Sequence, residues 1–250
     1  ENSFEKYFSN PNDNRTLSDN AIITVFIDNR QRIWLGTYQG GLNLFDLEKK
    51  VFRRYMHEPG NVSSLSTNYV SAIAEAGNDT LWIGLRDGGL NKFFIRENRF
   101  KKYFPSEWGH EYPLNLSIST LVHDPKGGMW VGTDANGLYY LNTEDYHLKD
   151  MYAGTPMRDD SKFTNVTCIL PDKQGKLWVG TFRNGLYCIH PDHCISFYKP
   201  NDQTHKVSDW LIGGLYQDNS GTIFIGQWGP NLDIAHYAKP VFNHVIPYPE

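Results

Sequence analysis

Short apolar runs alternate with polar turns along the whole chain, and the alternation itself repeats. Residues 33–37 (Ile-Trp-Leu-Gly-Thr), 81–85, 129–133, 177–181 and 223–227 each hold an aromatic residue followed two places on by glycine. The aromatic anchors are Trp34, Trp82, Trp130, Trp178 and Phe224, spaced by 48, 48, 48 and 46 residues. A period of this size marks stacked repeats that share cores. In the second repeat, residues 69–74 read as a short strand and 77–79 as a turn. Residues 81–85 form a largely apolar strand, as expected where both faces are buried. Arg86-Asp87-Gly88 turns into a third strand at 89–93. The alternating Phe100-Lys101-Lys102-Tyr103 suits an outer, half-exposed strand. Four short antiparallel strands, repeated, make a β-propeller blade. No stretch carries helical periodicity with caps.

The turns agree with this reading. Asp28, Asp124, Asp172 and Asp218 each lie six residues before an anchor, and Gly127, Gly175 and Gly221 follow where positive φ is needed. The glycine beyond each anchor sits mid-strand, where glycine marks close approach of another group. We expect it to make room for the neighbouring blade's Trp. The fold expected is all-β, with about five four-stranded antiparallel blades at 17–56, 65–104, 116–152, 164–199 and 208–246. Phe4-Glu5-Lys6-Tyr7 matches 52–55 and 100–103, so 3–8 are expected as the outer strand of a preceding blade. The last repeat has its own fourth strand near 241–245. Both strands together point to a single partial propeller domain, an open arc cut from a longer ring, with a closed five-bladed ring as the alternative.

At 250 residues with 40% hydrophobic and 14% aromatic content, the chain can build a large core unaided. A net charge of −4 argues against a phosphate-bound nucleic-acid partner. No apolar run approaches a membrane span, and Glu1-Asn2-Ser3-Phe4 lacks a signal peptide's pattern. Three cysteines are too few for a disulfide framework; a Cys188–Cys194 pairing across a hairpin is left open.

The pattern Asn68, Val70, Ile73, Leu81-Trp82-Ile83-Gly84, Gly88-Gly89-Leu90-Asn91, Phe100, Tyr103 recurs with links such as Asn10-Pro11-Asn12-Asp13, His57-Glu58-Pro59-Gly60-Asn61 and Lys199-Pro200-Asn201-Asp202. Over essentially the whole chain this closely resembles the two-component regulator propeller repeat. That repeat builds the periplasmic sensor region of hybrid two-component systems in gut anaerobic bacteria. The resemblance implies an extracytoplasmic, non-enzymatic sensor module that responds to oligosaccharide, belongs to an inner-membrane protein and signals to a histidine kinase outside this chain. It implies other propeller or sensor domains of the same protein as partners. The fifth repeat departs from the pattern: Phe224 replaces Trp, and Trp228-Gly229-Pro230 replaces the Gly-Gly pair.

Several motifs read more simply as scaffold. Gly36 to Gly41 resembles a phosphate loop, but a strand follows where a helix is required. Cys188, His190, His193 and Cys194 are metal ligands by type, yet they fall in phase with ordinary hairpins, so no metal or cofactor is expected. The four turn aspartates are spread one per blade, whereas a glycosidase needs two carboxyl groups at one bond. No catalytic residue is assigned. Asn-x-Ser/Thr sequons begin at Asn14, Asn61, Asn78, Asn115 and Asn165 and matter only in a eukaryotic secretory host.

Function is sought where the repeat breaks. Links into each first strand and turns between second and third strands share one face. The turns vary, with Arg86, Asp134, Phe182 and Arg183 among them. Two consecutive links also lose the Asn-Pro pattern, one with Trp108, His110 and Tyr112, the other with Arg158 and Asp159. Aromatic and charged side chains on such loops suit sugar recognition, and they suit equally an interface between propellers or subunits. An open blade edge invites a second copy of the chain. The competing functions are a small propeller glycosidase or lyase and a lectin-like scaffold.

Overall fold

The computed structural model describes residues 3–77, 79–103, 116–151, 164–203, 206–236 and 239–245, the last by backbone alone. Among the described residues there is no helix, so none is long and apolar enough to cross a membrane. Five separate four-stranded antiparallel sheets follow one another in the chain, each with its strands in sequence order. The first holds β1 (Ile22–Ile27), β2 (Ile33–Thr37), β3 (Leu42–Asp46) and β4 (Val51–Tyr55). The second holds β5 (Val70–Glu75), β6 (Thr80–Leu85), β7 (Gly89–Phe94) and β8 (Arg99–Tyr103). The third holds β9 (Ile118–His123), β10 (Met129–Thr133), β11 (Leu138–Leu141) and β12 (Leu148–Asp150). The fourth holds β13 (Val166–Pro171), β14 (Leu177–Thr181), β15 (Leu186–Ile189) and β16 (Ile195–Tyr198). The fifth holds β17 (Ile212–Gln217), β18 (Ile223–Gln227), β19 (Leu232–His236) and β20 (Lys239–Val245). Each sheet is a blade of the expected kind. The chain divides into two compact units, Glu1–Ile118 and Ser119–Glu250.

In the N-terminal unit the two blades share one core. Trp34, Leu42 and Tyr55 of the first meet Ile73, Ile83, Phe93 and Phe100 of the second. The Trp34 ring meets Phe93 edge-on at 5.8 Å, and Phe93 stacks on Phe100 at 4.2 Å. In the C-terminal unit, Leu138 and Trp130 pack with Leu177, Val179, Ile189 and Ile195. Trp178 and Leu186 pack with Ile212, Ile223 and Ile225.

The turn aspartates cap the anchors. Asp28 Oδ2 accepts the indole N–H of Trp34 at 2.9 Å, and its Oδ1 accepts the backbone N–H groups of Arg30 and Arg32. Asp172 repeats the arrangement, taking the Trp178 indole N–H at 2.8 Å. Positive φ occurs at Gly127, Gly175 and Gly221, and the same place in the first two repeats is held by Gln31 (φ 62°) and Asp79 (φ 57°).

The mid-strand glycines make room for something other than the expected Trp. A Cβ on Gly36 would lie 2.6 Å from Val70 Cγ1, on Gly84 2.6 Å from Ile118, on Gly132 2.6 Å from Val166 and on Gly180 2.7 Å from Ile212. Each of these four glycines thus sits between the branched residue that opens the next blade's first strand and a residue of its own blade's first strand, Thr24, Ala72, Thr120 or Cys168. The Trp instead lies within the blade-to-blade core. Next to each opening residue, the first strands of blades one, two, four and five are bulged against their second strands. A bulge re-aims one side chain. Ser71 and Thr167, at the bulges, donate their hydroxyls to the carbonyls of Ile118 and Ile212, and Ser119 does the same to Val166.

The links are pinned by a second repeated device. The Asn43 side chain bonds the N–H and hydroxyl of Ser18, Asn91 does so for Ser66, and Asp233 for Ser208. The adjacent Leu17, Leu65 and Val207 are buried. Residues 3–8 form no strand: no earlier strand of this chain offers them a ladder, and Tyr7 packs edge-on against Phe45 and Phe52 of the first blade, 4.9 and 5.8 Å away. All three thiols are free, with Cys188 buried and Cys194 exposed, so the pairing left open between them is not formed.

Candidate functional site

Strand order alone places links and second-to-third turns on one face, and backbone bonds tie them together there. Tyr38 N–H donates to Ala21, Arg86 N–H to Tyr69, Phe182 N–H to Asn165 and Trp228 N–H to Leu211, all between 2.8 and 3.1 Å. The turns themselves are built alike: Thr37, Thr133 and Thr181 each donate to the carbonyl of the glycine four residues on. Variation on this rim is therefore variation of side chains on a fixed backbone frame.

In the N-terminal unit the rim carries Arg86. Its guanidinium lies over the Tyr69 ring at 5.5 Å, and Tyr69 meets Tyr38 edge-on at 4.8 Å. In the C-terminal unit the rim carries Asp134 in the β10–β11 turn and Phe182 and Arg183 in the β14–β15 turn. Phe182 meets Trp228 of the β18–β19 turn edge-on at 5.6 Å, and the Arg183 guanidinium lies 5.4 Å from the Phe182 ring. The backbone N–H of Arg183 donates to the Trp210 carbonyl, which also accepts from Gly185. Arg183 holds φ of 99°, a region L-residues avoid. Such strain costs about 1–3 kcal/mol and collects at functional sites. Gly213 leaves space for the Trp228 ring, since a Cβ there would lie 3.0 Å from it. Trp228 is 69% exposed and Trp210 is 40% exposed. Asp209 folds its Oδ1 back onto the N–H of Trp210.

The structure thus brings Phe182 and Arg183 together with Trp210 and Trp228, while Arg86 joins a separate tyrosine pair in the other unit. Trp108, His110, Tyr112, Arg158 and Asp159 lie outside the described residues. Trp210 and Asp209 were not among the residues expected from sequence. The available signal was the fifth repeat's own departure at Trp228-Gly229-Pro230, which replaces the Gly-Gly pair and puts a tryptophan at the turn position held by Tyr38 in the first repeat and Phe182 in the fourth.

The hairpin of Cys188, His190, His193 and Cys194 is an ordinary turn. His190 N–H donates to the Cys194 carbonyl, and the His190 ring bonds Ser196 at 2.8 Å. Among the described residues no group of three His, Cys, Asp or Glu side chains could hold a metal ion. Burial pushes the Cys168 thiol up to about 11 and the Cys188 thiol up to about 12.

Residues 16–39, 112–135 and 161–183 match the model of the two-component regulator propeller. Each match runs from the end of a link through the first two strands into the rim turn. Those three stretches are similar to two-component regulator propeller repeats. Among solved structures, the extracellular domain of a hybrid two-component system from B. thetaiotaomicron superposes with a TM-score of 0.75 at 22% identity, over 93% of this chain and 29% of that one. The chain therefore spans under a third of that domain. Virginiamycin B lyase from Staphylococcus aureus gives a TM-score of 0.67 at 12% identity, over 98% of this chain and 74% of that chain. PorZ, a surface component of the type-IX secretion system of Porphyromonas gingivalis, gives 0.58 at 17% identity, over 86% and 32%. At these identities the likeness is one of fold, and that fold serves a lyase as well as sensors. No curated protein matches the chain in sequence. The matched segments hold the anchors Trp34, Trp130 and Trp178 and the pinned link at Ser18, which are scaffold. Trp210 and Trp228 lie outside every matched segment.

Proposed function

We propose that this chain is a non-enzymatic ligand-recognition module from the periplasmic part of a hybrid two-component regulator. It binds oligosaccharide at the rim of links and second-to-third turns, and its signal passes to a kinase outside the chain. The observation that carries the reading is the grouping of Phe182, Arg183, Trp210 and Trp228 around a strained backbone. Exposed indole rings stack on the apolar faces of sugars, and a guanidinium donates to their hydroxyls. The sequence offers Trp108, His110, Tyr112, Arg158 and Asp159 of two links, and Arg86 and Asp134 of two turns, as further residues for the same role. Rigid-body shifts between propellers would transmit binding.

Calorimetry against a panel of neutral oligosaccharides tests this. Trp228→Ala and Arg183→Ala should each weaken the best binder about tenfold or more, the loss of roughly one buried contact. Trp108→Ala with Arg158→Ala forms a second arm. Turnover of any panel member by the wild-type chain would replace the sensor reading with a lyase or glycosidase. Binding unchanged by all four substitutions would remove the rim from consideration.

A further inference from the structure

The opposite face of the C-terminal unit holds a cavity at a pair of core positions whose residues differ from blade to blade. In the N-terminal unit, Phe93 and Phe100 of the second blade close over Trp34, which is fully buried. Register places Ile189 and Ile195 at the same two positions of the fourth blade, opposite Trp130. Two isoleucines fill less space than two stacked phenylalanines, and Trp130 is left partly exposed. A cavity of about 440 Å³ opens there, floored by Trp130, Leu177, Ile189 and Ile195. A second cavity of about 440 Å³ adjoins it, shares Trp130 and Leu177, and reaches the turn at Asp124. The first lies between the β9–β10, β13–β14 and β15–β16 turns and the second between the β9–β10 and β13–β14 turns, on the face away from the rim.

Three polar side chains here are little used among the described residues. Unlike Asp28 and Asp172, Asp124 takes no bond from its anchor's indole among the described residues, and its carboxylate receives only the N–H of Lys126. Lys126 and Lys149 line the cavity and make no ion pair among the described residues. His190 and His193 stand at the same mouth. An apolar floor with one indole, two ammonium groups at the edge and a free N–H is a built combination for one kind of guest. It fits a ring with an apolar face, hydroxyls and a negative charge.

We infer that the cavity beside Trp130 binds an acidic sugar residue, its ring on the indole and its carboxylate between Lys126 and Lys149. The site is independent of the rim proposed above and stands or falls separately.

The whole chain is titrated with digalacturonate, its neutral counterpart galactobiose, and phenylacetate, read by tryptophan fluorescence and calorimetry. Digalacturonate should bind at least about tenfold tighter than galactobiose, and Lys126→Ala and Lys149→Ala should each cost about tenfold, as charge-assisted bonds do. Ile189→Phe restores the aromatic used by the second blade, so it should abolish binding while leaving the melting temperature equal or higher. Trp228→Ala should change nothing. Equal affinity for galactobiose, no binding of digalacturonate at about 10 mM, tighter binding of phenylacetate, retained binding in Ile189→Phe, or loss in Trp228→Ala would each overturn the assignment.

Discussion

Asp28→Ala probes what holds a blade together. The carboxylate accepts the Trp34 indole N–H, the backbone N–H groups of Arg30 and Arg32, and the Arg32 guanidinium. Trp34 is fully buried, so its N–H would be left without water or partner, a loss of about 1–3 kcal/mol. The two turn N–H groups lose net bonds of about 1 kcal/mol each. Arg32 keeps Asp79 as an ion-pair partner, so its share is small. The sum is about 3–5 kcal/mol. Amide hydrogen exchange in β2 reads this locally, whether or not the two units unfold together. Trp34→Phe, the anchor type already found at Phe224, removes the orphan. In that background Asp28→Ala should cost about 1–3 kcal/mol less. The pH dependence follows from the same bonds. Burial opposes ionisation of Asp28, but the donors from Trp34, Arg32 and Arg30 outweigh it and hold the carboxyl below its usual range. A depressed folded value means the contribution is complete above about pH 4 and is lost as pH falls through the folded value. The gap between wild type and variant should therefore narrow in acid. Protection of β2 that changes by less than about 1 kcal/mol at neutral pH, or a gap that widens in acid, would refute the account.

Other consequences are equally direct. Gly84→Ala sets a Cβ 2.6 Å from Ile118 and should destabilise the N-terminal unit by about 1–3 kcal/mol, whereas Gly226→Ala meets nothing nearer than 3.7 Å and should be near neutral; thermal melts separate the two. Under native conditions iodoacetamide should label the exposed Cys194 and spare Cys168 and Cys188, whose thiols burial holds near 11 and 12, and mass spectrometry counts the adducts. The first blade leaves Val25 59% and Ile27 56% exposed on strand β1, the edge of its sheet. We expect self-association through it, and Val25→Lys with Ile27→Lys should shift sedimentation toward monomer.

Blade count, strand order and turn chemistry were legible because each follows from local pattern: an apolar strand, a turn aspartate, a glycine at positive φ. The partner of each mid-strand glycine was not. A glycine announces that something approaches, but its identity depends on how neighbouring sheets stack, and for four of the five the approach from the next blade is made by Val70, Ile118, Val166 or Ile212. The bulge that aims Ser71 and Thr167 at the next blade's first strand was hidden for the same reason, since it leaves strand periodicity broken by one residue only. The pinning of links by Asn43, Asn91 and Asp233 could have been read, because a buried Leu or Val followed by Ser recurs at 17, 65 and 207. Phe182 and Arg183 were legible as rim residues from strand order. Their company with Trp210 was not, because Trp210 comes from a link whose path over the rim only the fold reveals.

The two candidate sites come from opposite kinds of departure. At Trp228 the fifth repeat puts an indole at a turn position that the second repeat fills with Arg86, and the ring is 69% exposed even though Phe182 meets it edge-on. At Ile189 and Ile195 the fourth blade carries less volume than Phe93 and Phe100 of the second, and the anchor Trp130 is partly exposed. Each change alone would cost stability: an exposed indole gives up burial, and an unfilled core position gives up roughly 1 kcal/mol or more for each missing methylene-sized volume. A repeat protein has ready-made solutions at both positions in its own second blade, Phe93 and Phe100 in the core and Arg86-Asp87-Gly88 at the turn. Their absence in blades four and five is therefore a physical argument for ligands at both places, and Ile189→Phe tests it by returning one of those solutions.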